Sequence, residues 1–286
     1  MTGAQDAGED STTGAQDAGE ASTTGAQDAG EGSTADRDRW IRVEGAANVR
    51  DLGGLPAAGG VARVKPGMLF RGDSPHRLTA ESLKKFGGLR TFVDLRGEDE
   101  VKSLPPTPLP AGAEVVHFPW RPPNVATSVM GGIAEMSYIP IRDLYEQFVE
   151  ANRDYLARTV ELLADPKRLP AYIHCFAGKD RAGITVAVIL ELLGTPDEAI
   201  VADYTMTDEV SDQFNKLIDD ELDRMGVSVE ERAKINPDIV RAPADQMAAF
   251  LDIMRARWGS AEKLVTDAGV GAERIDALRR NLTGPS

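Results

Sequence analysis

Residues 174–183 read HCFAGKDRAG, and they contain the only cysteine of the chain, Cys175. Directly before them stands AYIH (171–174), a short run of strand type. Directly after them stands ITVAVILELL (184–193), apolar almost all round, with Gly194 and Pro196 positioned to end a helix. The stretch therefore predicts strand, tight loop, buried helix. In that order, backbone N–H groups of the loop and the N-terminus of the helix converge on one spot, which suits an anion. Arg181, six positions after Cys175, can grip two phosphate oxygens in a fork. A cysteine in such a positive field is favoured as thiolate. A thiolate facing a bound phosphoryl group is the arrangement for ester hydrolysis through a phosphocysteine.

The flanking segments alternate in type. MLFRGD (68–73), TFVDLR (91–96) and AEVVHFPW (113–120) are strand candidates, and TAESLKKFGG (79–88) is a short helix capped by Thr79. NVRDLGGLPAAGG (48–60) is turn-like. Apolar positions from Ile141 to Leu163 recur at helical spacing. Residues 197–283 read as helices with charged faces. The fold class this implies is α/β, with a central, largely parallel sheet flanked by helices and further helices at the C-terminal end. The Pro- and Gly-rich stretch 105–140 and the helices after Tyr204, with Met206, Met225 and Met247, are expected to be either a helical lid or ordinary core.

The beginning of the chain is different. TGAQDAGEDST, TGAQDAGEAST and TGAQDAGEGST follow one another at residues 2, 13 and 24. These three 11-residue repeats hold acidic residues, no basic or aromatic ones, and no large apolar side chain. They cannot bury enough surface to offset ordering entropy, so residues 1–36 are expected to be a disordered acidic tail. A net charge of −14 argues against nucleic acid or an anionic membrane as partner. A single cysteine forms no intramolecular disulfide, so nothing calls for an oxidising compartment. No run approaches the ~20 apolar residues of a membrane span. No secretory signal pattern opens the sequence, and a cytoplasmic location is expected, with signal-independent export left open.

HCFAGKDRAG resembles the His-Cys-x5-Arg signature of the cysteine-dependent tyrosine phosphatases, and the inner AGKDR resembles the bacterial and fungal tyrosine phosphatase family 3. NVRDLGG (48–54), LFRGDSP (69–75), VDLRGEDE (93–100) and Asp203-Tyr204 follow the same pattern in order. The resemblance covers about residues 40–260 and implies a tyrosine-phosphatase-like fold for a catalytic domain at 37–286, no cofactor, no metal, and a substrate that is a phosphorylated protein or a phosphoinositide. It implies Cys175 as nucleophile, Arg181 as phosphoryl ligand, and a cradle formed by Phe176, Ala177, Gly178, Lys179, Ala182 and Gly183. Lys179 is expected to add a cation at the mouth. His174 is expected to brace the loop, and Arg50, Asp51 and Arg71 to organise loops. His76 and His117 lie far apart in sequence and suggest no metal site.

Two points depart from the pattern. Ala182 stands where the family has Thr or Ser, whose hydroxyl assists the sulfur as it leaves the phosphoenzyme; Thr185 is a candidate replacement. No aspartate occurs between Val101 and Arg142, where many relatives carry the general acid. Asp180 is the favoured acid, with a loop-bracing role as the alternative. Asp94 is the second candidate, its alternative being a buried carboxylate. A catalytically dead phosphate binder and a rhodanese-type sulfur transferase remain competing functions; turnover of p-nitrophenyl phosphate and of thiosulfate with cyanide distinguishes them.

Overall fold

The computed structural model describes residues 39–121, 141–224, 226–232 and 241–285. The repeat tail, residues 122–140 of the expected lid, and Met225 lie outside the described residues.

In chain order the strands are β1 (Arg50–Asp51), β2 (Pro56–Ala57), β3 (Ala62–Val64), β4 (Leu69–Gly72), β5 (Thr91–Asp94), β6 (Glu114–His117), β7 (Ala171–His174) and β8 (Thr283–Pro285). The main sheet has the order β1-β4-β7-β5-β6. β4, β7, β5 and β6 run parallel, and β1 joins the edge antiparallel. The expected α/β class with a largely parallel central sheet is what the chain adopts.

The residues of the three inner strands explain the layering. β4, β5 and β7 are buried at every position, as expected of parallel strands covered on both faces. Side chains alternate between two cores. Leu69, Val93, Ala171 and Ile173 join one cluster; Phe70, Phe92 and Tyr172 join the other. The second cluster is closed by Leu83 of α1 (Ala80–Lys84) with Phe86 and Leu89. Thr79 caps α1 as expected, its Oγ1 accepting from Ser82 N at 3.1 Å.

The larger cluster is covered by α3 (Ile141–Leu163) and α4 (Asp180–Leu192), and by the later helices α5 (Asp197–Thr205), α8 (Ala244–Trp258), α9 (Ala261–Asp267) and α10 (Ala272–Leu282). Short α2 (Glu98–Ser103) follows β5, and α6 (Ser211–Arg224) and α7 (Val229–Arg232) lie between α5 and α8. Ile184, Val186, Val188, Ile189 and Leu190 of α4 are all buried; each stabilises the fold by about 1.5–3 kcal/mol relative to exposure. That is why a nearly featureless apolar run becomes a central helix. It starts at Asp180, inside the signature loop, rather than at Ile184.

Helix α3 is interrupted at Asn152 (φ −131°, ψ 23°). Asn152 Nδ2 donates to Phe148 O and Arg121 O, both at 2.9 Å, and its Oδ1 accepts from Arg121 N at 2.7 Å. One amide thus exchanges helical regularity for a tie to the segment leaving β6.

One expectation needs correcting. A second sheet of order β2-β3-β8 is present, and its strand β8 falls where residues up to 283 read as helical. The sequence TGP has no strand pattern of its own; it is extended because β3 offers an open edge. Met206 and Met247 are buried core residues, the second of the two alternatives their pattern allows. Among the described residues no helix is long and apolar enough to cross a membrane.

Candidate active site

Strand β7 delivers Cys175 to the C-terminal edge of the main sheet, and α4 begins five residues later. The loop between them is held from outside by its carbonyls. Phe176 O accepts from Ser74 N at 3.0 Å, and Ala177 O from Asn48 Nδ2 at 2.9 Å. Gly178 O and Lys179 O accept from Arg71 Nη2 at 2.7 and 3.3 Å. With the carbonyls taken up, an N–H turns inward: Gly178 N donates to Cys175 Sγ at 3.2 Å. Gly178 has φ 70°, and a Cβ there would stand 2.3 Å from Gly72 C. Only glycine allows both that conformation and that approach.

Gly183 is glycine for a different reason. A Cβ there would lie 3.1 Å from Arg71 Nη2 and 3.3 Å from the Tyr204 ring. It lets α4 approach its neighbours. Ala182 is fully buried.

Arg181 projects from the first turn of α4 onto Glu100. Nη2 donates to Oε1 at 2.8 Å, Nη1 donates to Oε2, and Nη1 also reaches Leu95 O at 3.4 Å. Burial alone would pull the Arg181 pKa down; the Glu100 carboxylate instead holds it above the ordinary arginine range. Burial likewise opposes ionisation of Glu100, and Arg181 nevertheless keeps its pKa below the usual value.

A buried charge cluster supports the loop from behind. Asp203 accepts from Arg39 at 2.7 Å, from Arg50 at 3.1 Å and from Arg71 at 2.7 Å. Burial disfavours its charge, but the three guanidiniums hold the carboxylate far below the normal range. Arg50, desolvated, drops to about 9 despite Asp203. Arg50 Nη1 also grips Asn48 Oδ1 at 2.6 Å, so the chain of contacts runs from Asp203 through Arg50 and Asn48 to Ala177. Arg50 and Arg71 organise loops, as expected, and so does Asp51, which accepts from Gly53 N and Gly67 N. Asp73 secures the same corner by accepting from Ala47 N and Asn48 N at 3.0 and 2.9 Å.

The two acid candidates separate clearly. Asp94 is buried and meets Arg96 through Nε (2.9 and 3.1 Å), Nη2 (2.6 Å) and backbone N (3.0 Å). Burial raises its pKa, yet the neighbouring His174 and the Arg96 contacts bring it to about 2. It is a fixed acceptor with no proton to give. Asp180 opens α4 with its side chain 20% exposed. Its Oδ1 accepts from Tyr145 Oη at 2.7 Å and lies 3.5 Å from Lys179 Nζ.

Other sequence expectations are placed as follows. Lys179 is buried, with Nζ donating to Arg241 O at 2.9 Å, so it is not an open cation at the mouth. The backbone carbonyl of Arg241 holds the end of its side chain. Thr185 Oγ1 donates to Arg181 O at 2.8 Å; its one proton is spent within the helix and does not replace the hydroxyl missing at Ala182. His174 is fully buried beside Tyr172 and Phe92, and desolvation lowers its pKa to about 4 against the pull of Asp94. It is a neutral side chain packed between aromatic rings. His76 contacts Ser74 Oγ and His117 contacts Arg96 O. Among the described residues no three His, Cys, Asp or Glu side chains gather as metal ligands.

Sequence reasoning missed Glu100, Asn48 and Tyr145 as site residues. A signal for Glu100 existed: Gly97-x-x-Glu100 is a helix-start pattern, and Glu100 Oε2 does accept from Gly97 N at 2.7 Å.

Comparison with known proteins agrees with this geometry. A model of a tyrosine phosphatase family matches residues 41–284. The triple specificity protein phosphatase PtpB of Mycobacterium tuberculosis is 27% identical over 278 residues, covering 84% of this chain and 98% of that protein. A Cupriavidus necator protein named for tyrosine-protein phosphatase activity is 30% identical, covering 78% of this chain and 81% of its own. A tyrosine-protein phosphatase of Nostoc commune is 26% identical over 199 residues, covering 68% of this chain and 66% of that protein.

Proposed function

The chain belongs to the tyrosine phosphatase family, and from that premise we propose that it hydrolyses phosphate monoesters in two steps through a phosphocysteine at Cys175. In the first step the Cys175 thiolate attacks phosphorus. An S–P bond forms, the P–O bond to the substrate oxygen breaks, and Asp180 gives that oxygen its proton. In the second step water attacks the same phosphorus and passes a proton to Asp180. The S–P bond breaks, and inorganic phosphate and the thiolate are released. Arg181 and the loop N–H groups from Phe176 to Arg181 receive the charge that develops on the phosphoryl oxygens.

The observation that carries this reading is the loop itself. Its carbonyls from 176 to 179 are bonded outward, Gly178 N–H meets the sulfur, and the arginine is clamped in register by Glu100. Donors fixed in advance stabilise a transition state without reorganisation. Rhodanese-type sulfur transfer does not call for this arginine clamp.

Phosphotyrosine in a protein is the first substrate class we assign. Phosphoserine, phosphothreonine and phosphoinositide head groups extend it by resemblance to the relative named for triple specificity. The burial of Lys179 weighs against a head group that depends on it. A cytoplasmic site of action suits a mechanism resting on one reduced thiol.

The test is a panel of phosphotyrosine, phosphoserine and phosphoinositide substrates with Cys175→Ser as control. The variant is expected to keep its fold and lose turnover on every substrate, and chelators are expected to leave the native enzyme unaffected. Undiminished hydrolysis by Cys175→Ser overturns the mechanism.

A further inference from the structure

Two buried phenols stand in line behind the carboxylate of Asp180. Tyr145, on α3, donates to Asp180 Oδ1 at 2.7 Å. Its oxygen lies 2.8 Å from that of Tyr204, on α5. Both side chains are fully buried. Tyr145 is wedged against Phe250 of α8 with ring centroids 5.8 Å apart, and the Tyr204 ring lies against Gly183. Four helices, α3, α4, α5 and α8, therefore fix where these hydroxyls point.

The direction of the protons follows from counting them. A phenol has one proton to give. Tyr145 gives its proton to Asp180, so toward Tyr204 it can only accept. The order is Tyr204 to Tyr145 to Asp180. Burial, and next the charge of Asp180, hold both phenols well above the ordinary tyrosine pKa, so both remain donors at neutral pH. Lys179 Nζ approaches the same carboxylate oxygen at 3.5 Å. The two contacts thus converge on Oδ1. A carboxylic acid delivers its proton from one oxygen, and an oxygen already receiving a phenol proton beside an ammonium is the poorer place to carry another.

Building on the assignment of Asp180 as the general acid, we propose that Tyr145, backed by Tyr204, is a positioning residue that occupies Oδ1 of Asp180, fixes the rotation of the carboxyl group, and so places its transferable proton on Oδ2 toward the leaving group. Neither tyrosine touches substrate in this arrangement. Each acts through Asp180, and the effect is greatest when the leaving oxygen needs its proton most.

The experiment compares kcat/KM for phenyl phosphate, a poor leaving group, with that for 4-nitrophenyl phosphate, a good one. kcat/KM covers the steps up to departure of the leaving group, so slow phosphoenzyme breakdown does not mask the result. The proteins are the native enzyme, Tyr145→Phe, Tyr204→Phe, Asp180→Asn and the double variant Tyr145→Phe/Asp180→Asn. General acid catalysis is worth about 10²–10⁴-fold, and Tyr145→Phe is expected to forfeit roughly tenfold of it on phenyl phosphate beyond any loss on the nitrophenyl ester. Tyr204→Phe is expected to lose in the same direction by less. In the Asp180→Asn background the selective effect of Tyr145→Phe is expected to vanish. Equal losses on both esters for Tyr145→Phe, or a selective loss that survives in the Asp180→Asn background, overturns the proposal. If Tyr145→Phe fails to fold by circular dichroism, Tyr204→Phe decides by the same comparison. An Asp180→Asn enzyme that loses equally on both esters removes Asp180 as the acid and the proposal with it. A selective loss in Asp180→Asn with none in the tyrosine variants removes the proposal alone.

Discussion

Glu100 and Arg181 form a two-pronged pair, with Nη2 on Oε1 at 2.8 Å and Nη1 on Oε2, while Oε2 also accepts from Gly97 N. The carboxylate that starts α2 therefore also aims the phosphoryl-binding arginine. Glu100→Gln keeps the shape and removes the charge. We expect kcat/KM to fall about 10- to 100-fold, the scale of a misplaced reacting group. Urea unfolding of the same variant is expected to show a loss of about 3 kcal/mol, since a mostly buried guanidinium loses the carboxylate paired with it. Unchanged kinetics would show that the loop alone places Arg181.

Ala182 offers the sulfur no hydroxyl, and the Thr185 hydroxyl is engaged by Arg181 O. Breakdown of the phosphoenzyme is therefore expected to limit turnover. Stopped-flow traces with 4-nitrophenyl phosphate are expected to show a burst followed by a slower steady state. Ala182→Thr is expected to raise the steady rate about five- to tenfold, the equivalent of one neutral hydrogen bond of about 1 kcal/mol. A native enzyme without a burst contradicts this.

Asp203 neutralises one of three buried arginines, Arg39, Arg50 and Arg71. Asp203→Asn removes the carboxylate that all three share and is expected to cost at least about 3–5 kcal/mol. Arg39→Met is expected to cost less, because Asp203 keeps two partners. Denaturant midpoints of the two variants give the comparison.

Two buried groups act in opposite directions on the pH dependence of stability. The pKa of His174 falls from 6.5 to about 4 on folding, so the unfolded chain binds the extra proton in that interval. Stability is lost as pH falls through it. The pKa of Asp73 rises from 3.8 to about 6, through burial, so there the native state holds the extra proton. Its contribution is present at low pH and is lost as pH rises from 3.8 through 6. His174→Asn is expected to flatten the loss of stability on acidification, by up to about 1.4 kcal/mol per pH unit. Asp73→Asn is expected to steepen it. Urea titrations between pH 4 and 7 read both slopes, and parallel slopes for native and His174→Asn proteins would exclude His174 as a contributor.

What the sequence showed and what it hid follow from the range of each interaction. LFRG, TFVD and AYIH were readable because each holds a pair of adjacent large apolar residues with an aromatic ring among them, the side chains strands favour. The loop from Cys175 to Arg181 was readable because its parts are adjacent. Glu100 lies 81 positions from its arginine and Asn48 129 from Ala177; nothing local distinguishes a partner from a surface polar residue. Lys179 was placed correctly along the chain but wrongly in space, since its side-chain direction depends on the segment at Arg241. Strand β8 has a partner but no pattern.

Strand β7 lies between β4 and β5, although both of those precede it in the chain. During synthesis, β4 and β5 emerge with no edge to share. At elongation rates of about 5–20 residues per second they wait several seconds for the segment that joins them. That segment carries Cys175 at its end. A ribosome-bound chain cut short of residue 171 has neither a continuous sheet nor a thiol. The nucleophile thus enters together with the strand that joins the two halves of the sheet, ahead of α4 and the later helices that will cover that sheet.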